Sequence, residues 1–168
     1  RNLKSDWNIE TQDTGLNTQT GGRLKRVAQY IDGDFCMTYG DGVSDVNISE
    51  LLEFHIKQGR HATVTATLPP GRFGAMNIQG DRVIGFKEKP KGDGVMINGG
   101  FFVLSPKVLD LIKDDTTTWE QSPLETLATT NQLSVFRHEG FWQPMDTYRD
   151  HQMLNQLCEA GRAPWMLW

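Results

Sequence analysis

Strand-like and helix-like segments alternate along the first half of the chain, and this limits the folds open to it. Phe35-Cys36-Met37-Thr38-Tyr39 is an apolar run, and residues 62–68 (ATVTATL) are rich in β-branched side chains. Both read as strands. Ahead of the first, Leu24, Val27, Ala28 and Ile31 fall at i, i+3, i+4 and i+7. That spacing predicts an amphipathic helix, stopped by Asp32-Gly33. Between the two strands, Asn47 can cap a second helix with Glu50 three residues on. Ile48, Leu51, Leu52 and Ile56 are its apolar positions, and Gly59 ends it. Residues 7–14 alternate loosely and predict one more strand.

The middle of the chain reads differently. Residues 74–90 (GAMNIQGDRVIGFKEKP) form two strand patterns around Gly80-Asp81, a hairpin signal. Residues 96–105 predict a strand broken at Gly99-Gly100, and Ser105-Pro106 opens a helix with Val108, Leu111 and Ile112 inward. Ser122-Pro123-Leu124-Glu125 reads as a capping box. Residues 132–145 are strand-like, and residues 147–160 predict a last helix. Strands alternating with helices, interrupted by a hairpin-rich excursion, make an α/β layered sheet with mixed strands.

Length and charge narrow the class further. A chain of 168 residues fits one domain with a real core. A hydrophobic fraction of 38% with 23% charged residues is globular. The net charge of −4 argues against a nucleic-acid polymer as partner. No apolar run approaches the ~18 residues of a membrane helix. Cys36 and Cys158 lie far apart and follow no metal spacing, so a reduced, cytoplasmic protein is expected. The first residues are polar and carry no signal-peptide pattern. The chain opens without Met, which leaves a fragment or a processed product open.

The first strand stops at Gly40-Asp41-Gly42. Ligands of open α/β sheets sit beyond the carboxyl ends of strands. Asp41 is at such an end, which suits a metal ligand. Asp-Gly also recurs at Asp32-Gly33 and Asp93-Gly94 as a common turn dipeptide, so a plain turn is the other reading.

Several segments taken in order resemble one family. Residues 20–27 (TGGRLKRV), 39–45 (YGDGVSD), 69–78 (PPGRFGAMNI), 86–106 (FKEKPKGDGVMINGGFFVLSP), 117–128 (TTWEQSPLETLA) and 140–150 (GFWQPMDTYRD) are similar to glucose-1-phosphate cytidylyltransferases, a branch of the sugar nucleotidyltransferases. The likeness runs from about Trp7 to Trp168. It implies a three-layer Rossmann-like nucleotidyltransferase sheet with mixed strands. It also implies the reaction CTP + α-D-glucose 1-phosphate → CDP-glucose + pyrophosphate with Mg²⁺, serving lipopolysaccharide biosynthesis, in a homo-oligomer. One departure stands out. The family's Gly-Gly-x-Gly-Thr-Arg signature and the lysine after it have no counterpart here. Residues 1–168 therefore look like the C-terminal two thirds of a single nucleotidyltransferase domain, with the N-terminal strands missing.

The resemblance also implies roles for particular residues. Asp41 and Asp146 become the Mg²⁺ ligands, although Asp146 precedes a helix and could serve as its N-cap. Lys89 would clamp the sugar phosphate, or belong to a solvated charge run with Lys87 and Lys91. Glu88 and Asn98 would accept or border glucose hydroxyls. Gly74 and Gly99 would pass main chain near the sugar, or be turns and bulges. Gly21, Gly22 and Arg23 would lie near the nucleotide, with Arg23 pairing a phosphate or facing water in a helix's first turn. Tyr39 is left between core and nucleotide border. The tryptophans read as core and subunit contact, and the histidines, which show no ligand spacing, as structural or exposed.

Three functional readings remain: an enzyme, a non-catalytic truncated binding or self-associating module, or one half of a split enzyme. Loss of interior strands would leave an open sheet edge, and a dimer through that edge is expected.

Overall fold

The computed structural model of the chain describes residues 8–71, 75–87 and 95–166. Helix α1 spans Thr20–Arg26, strand β1 Phe35–Thr38, β2 Gly42–Ser44 and α2 Ile48–Gln58. Then come β3 (Ala62–Thr67), β4 (Ala75–Gln79), β5 (Arg82–Lys87) and β6 (Ile97–Leu104). Helix α3 (Ser122–Thr129), β7 (Leu133–His138), β8 (Trp142–Pro144) and α4 (Tyr148–Glu159) complete the order. Short 3-10 turns occupy Ala28–Tyr30 and Pro106–Leu111.

Four strands form the main sheet in the order β1-β6-β3-β7. β6 runs antiparallel to both neighbours, and β3 pairs β7 in parallel. The fold is thus mixed α/β. Side chains alternate across such a sheet, so each strand feeds two layers. On one face Phe102 and Leu104 join Leu24, Val108, Ile112, Trp119 and Leu127 in the core. Phe35, Met37, Tyr39 and Val64 pack against it. On the other face Thr63 and Val103 are fully buried, as is Leu51 of α2. His55 of α2 meets Thr63 there, Nδ1 to Oγ1 at 2.9 Å. Burial lowers the His55 pKa, against the opposing pull of Asp34. Its role is structural.

Four local expectations need correction. The helix expected to run to Ile31 is α-helical only to Arg26, because Val27 N bonds Leu24 O three residues back and the chain tightens into a 3-10 turn. Val27 and Ile31 still reach the core from that turn. Residues 8–14 carry no strand. Ser122 is the first residue of α3 and not its cap, since the N-cap is Gln121 with no side-chain bond. The segment between Asp41 and Asn47 holds a further strand, β2, that the sequence reads only as a lead-in to α2. The cap at Asn47 and the stop at Gly59, in the left-handed region at φ 62°, are as expected.

Candidate functional site

Strand β2 pairs β8 antiparallel, with Gly42 opposite Pro144 and Ser44 opposite Trp142. One step further along that register, Asp41 stands opposite Met145. The Met145 N–H donates to Asp41 O at 2.7 Å. Asp41 and Asp146 are 105 positions apart in sequence. This pairing sets them at neighbouring positions on two chain segments, both exposed. Helix α4 does not use Asp146 as its cap. Thr147 is the N-cap, its hydroxyl accepts Asp150 N at 3.2 Å, and Asp150 bonds back to Thr147 N at 3.0 Å.

Interior packing makes no demand for glycine on either side of Asp41. A Cβ at Gly40 would meet nothing within 4 Å, and one at Gly42 only Trp142 Nε1 at 4.0 Å. The turn therefore leaves open approach to its main chain.

A cleft of about 760 Å³ runs from this turn to α1. Leu24, Val27, Met37 and Trp119 supply its apolar wall. Arg23, Asp41 and Glu120 are its charged members. Arg23 and Asp41 thus line one cavity. The Arg23 guanidinium donates to Thr14 Oγ1 at 2.6 Å and to Leu16 O at 3.3 Å, which holds it at the rim.

Gly21 and Gly22 have a different setting. Both are buried, and their amides donate to Thr117 O at 3.0 and 3.2 Å. Residues 115–117 occupy the side that a Cβ would take, so interior packing accounts for both glycines. Gly99 is likewise buried. Its carbonyl accepts Trp142 Nε1–H at 2.7 Å, and a Cβ would come within 3.1 Å of Thr65 O. The β3–β6 register is irregular between Val64 and Ala66, opposite the Gly99-Gly100 pair, which is the bulge reading of that pair. Asn98 Oδ1 accepts the Gly100 N–H at 2.8 Å. Gly74, Glu88 and Lys89 lie outside the described residues.

Two residues without an expected role line the same cleft. Tyr39 donates its hydroxyl hydrogen to Glu120. Glu120 also accepts Thr20 Oγ1–H at 2.7 Å. In the sequence Tyr39 reads as core or nucleotide border, and Glu120 falls in the family-like segment 117–128 with no role of its own.

The nucleotidyl transferase profile matches residues 3–143.

The chain belongs to the nucleotidyl transferase family.

The chain is similar to the glucose-1-phosphate cytidylyltransferase of Salmonella typhi, 59% identical over 164 residues, which covers 96% of this chain and 64% of that protein. The chain thus spans just under two thirds of that relative's length. Among solved structures, HddC from Yersinia pseudotuberculosis superposes with a TM-score of 0.62 at 22% identity, covering 87% of this chain and 64% of that one. A UDP-glucose pyrophosphorylase complexed with UDP-glucose superposes with a TM-score of 0.63 at 12% identity, covering 89% and 65%. At those identities the likeness is one of fold, and the fold is the Rossmann-like one of nucleotidyltransferases.

Proposed function

We propose that the chain carries the metal and sugar-nucleotide side of a glucose-1-phosphate cytidylyltransferase site. The supporting observation is the β2–β8 pairing, which makes Asp41 and Asp146 neighbours beside an open, glycine-flanked turn. The donor set suits a hard cation. Among the described residues no group of three or more His, Cys, Asp or Glu could hold a metal ion. Two carboxylates leave the remaining positions to water and phosphate oxygens, which is how Mg²⁺ is usually held at nucleotide sites. Bound there, Mg²⁺ would supply Lewis-acid charge neutralisation on the nucleotide phosphates.

In the transfer, a phosphate oxygen of glucose 1-phosphate forms a bond to the α-phosphorus of CTP. The bond from that phosphorus to the bridging oxygen breaks, and pyrophosphate leaves with the electron pair. The attacking oxygen is already ionised, so no proton is moved. The protein's task is to position two polyanions and offset their charge. Arg23 at the cleft rim would pair a nucleotide phosphate. Asn98, Glu88 and Lys89 would take the sugar and its phosphate, with the main chain at Gly74 and Gly99 beside it. Gly21 and Gly22 set the helix that carries Arg23. The reading brings with it a cytoplasmic location, self-association, and supply of CDP-glucose for bacterial surface polysaccharide.

A second reading, binding without turnover, is favoured by the open side of the cleft along β1, where no described strand pairs. Calorimetric titration with CDP-glucose, with and without Mg²⁺, tests the proposal. Binding strengthened by Mg²⁺ is expected. Asp41→Ala and Asp146→Ala should each weaken the Mg²⁺-dependent binding by about tenfold or more, as for loss of a contact to a charged group. Mg²⁺-independent affinity in both variants and in the unaltered chain would overturn it. Pyrophosphate release from CTP and glucose 1-phosphate then separates turnover from binding alone.

A further inference from the structure

Tyr39 links its own strand end to two other segments, through a bond to Glu120 and a ring packed on Gly100. Tyr39 follows β1, its ring edge-on to Phe102 with centroids 5.9 Å apart. The ring fills the space over Gly100, where a Cβ would come 2.7 Å from Tyr39 Cδ2. Gly100 has φ 77°, so both its conformation and the ring favour glycine there. The Tyr39 hydroxyl donates to one oxygen of Glu120, and Asn98 Oδ1 accepts the N–H of Gly100 beneath the ring at 2.8 Å. The other Glu120 oxygen accepts Thr20 Oγ1–H at 2.7 Å, and Thr20 Oγ1 accepts Trp119 N–H at 2.9 Å. Thr20 opens α1, three residues before Arg23.

The consequence is mechanical. Asp41 sits in a turn held on one side by the Met145 N–H, and the anchored side chain just before that turn is Tyr39. Arg23 sits on a helix whose first residue is tied to Glu120. Asn98 is tied to Gly100, on which the Tyr39 ring packs. We propose that Tyr39 and Glu120 are positioning residues that hold Asp41, Arg23 and Asn98 at the spacing a sugar nucleotide and its cation require. This rests on the reading of the cleft as the nucleotide site. Preorganisation of this kind acts by reducing what binding must order.

The test is calorimetric titration of CDP-glucose against the chain and three variants, with and without Mg²⁺, alongside a thermal melt. Tyr39→Phe and Glu120→Ala should each weaken Mg²⁺-dependent binding by about fivefold, the scale of one lost hydrogen bond. Glu120 is exposed, so its variants test the idea even if Tyr39→Phe folds poorly. Glu120→Gln keeps an acceptor for the phenol and should stay within about twofold of the unaltered chain. Loss in Glu120→Gln equal to that in Glu120→Ala would assign the effect to the carboxylate's charge and overturn the proposal. So would unchanged binding in Glu120→Ala. If the unaltered chain binds no CDP-glucose, the reading of the cleft fails and this proposal with it. Binding that survives all three variants removes the proposal alone.

Discussion

A Cβ on Gly22 would lie 2.6 Å from Asp115 Cα and 2.7 Å from Asp115 O. Both atoms belong to backbone, which cannot swing aside as a side chain can. Gly22→Ala should therefore destabilise the fold by about 1–3 kcal/mol, the usual cost of overpacking. A urea midpoint lowered at constant m-value would show it; an unchanged midpoint would mean that the 115–117 segment yields freely. The residue scale also separates what glycines do. At Gly22 the glycine serves close packing, whereas at Gly40 nothing inside the protein asks for one. The letters are the same in both places, so the sequence cannot tell these apart. Asp41 is the opposite case, because its position at a strand end was readable from the apolar run that stops before it.

Element by element, capping carries most of what local chemistry dictates. Thr147 and Asp150 form a reciprocal capping box at the start of α4. Thr147→Ala should cost about 1 kcal/mol of stability. Because α4 follows directly on Asp146, the same variant should also weaken Mg²⁺-dependent CDP-glucose binding. A stability loss with unaltered Mg²⁺ dependence would show that the helix start does not govern Asp146. The strand and helix periods in the sequence located β1, β3, the β4–β5 hairpin, α2 and α4, since each carries its own spacing and its own stop. They failed at β2, which is three residues long and, among the described residues, paired only to β8. Such a strand has no period of its own and exists because a distant segment supplies its partner. The over-long first helix failed for a related reason, since Val27 and Ile31 keep their core contacts through a 3-10 turn as well as they would through an α-helix.

At the scale of the molecule, β1 has one described partner, β6, and so forms an edge of the main sheet. The bond from Tyr39 N to Gly100 O sets the alternation of amides along β1. It leaves those of Cys36 and Thr38 directed away from β6. Space lies on both faces beside this edge: the cleft on the α1 side and a cavity of about 180 Å³ lined by Ile48, Leu51 and Phe101 on the α2 side. Unpaired edges with apolar flanks pair readily with other strands. Sedimentation velocity should show self-association, and a clean monomer across the concentration range would count against an edge-mediated dimer. By itself the sequence determined the layered α/β class, the strand end at Asp41, the caps of α2 and the family, because these rest on local spacing and on runs of residues that travel together. Only the tertiary structure decided that Asp41 and Asp146 are neighbours, that Gly21 and Gly22 pack inward, and that Tyr39 joins three segments. Contacts between residues a hundred positions apart are set by which strands pair, and no local pattern encodes that choice.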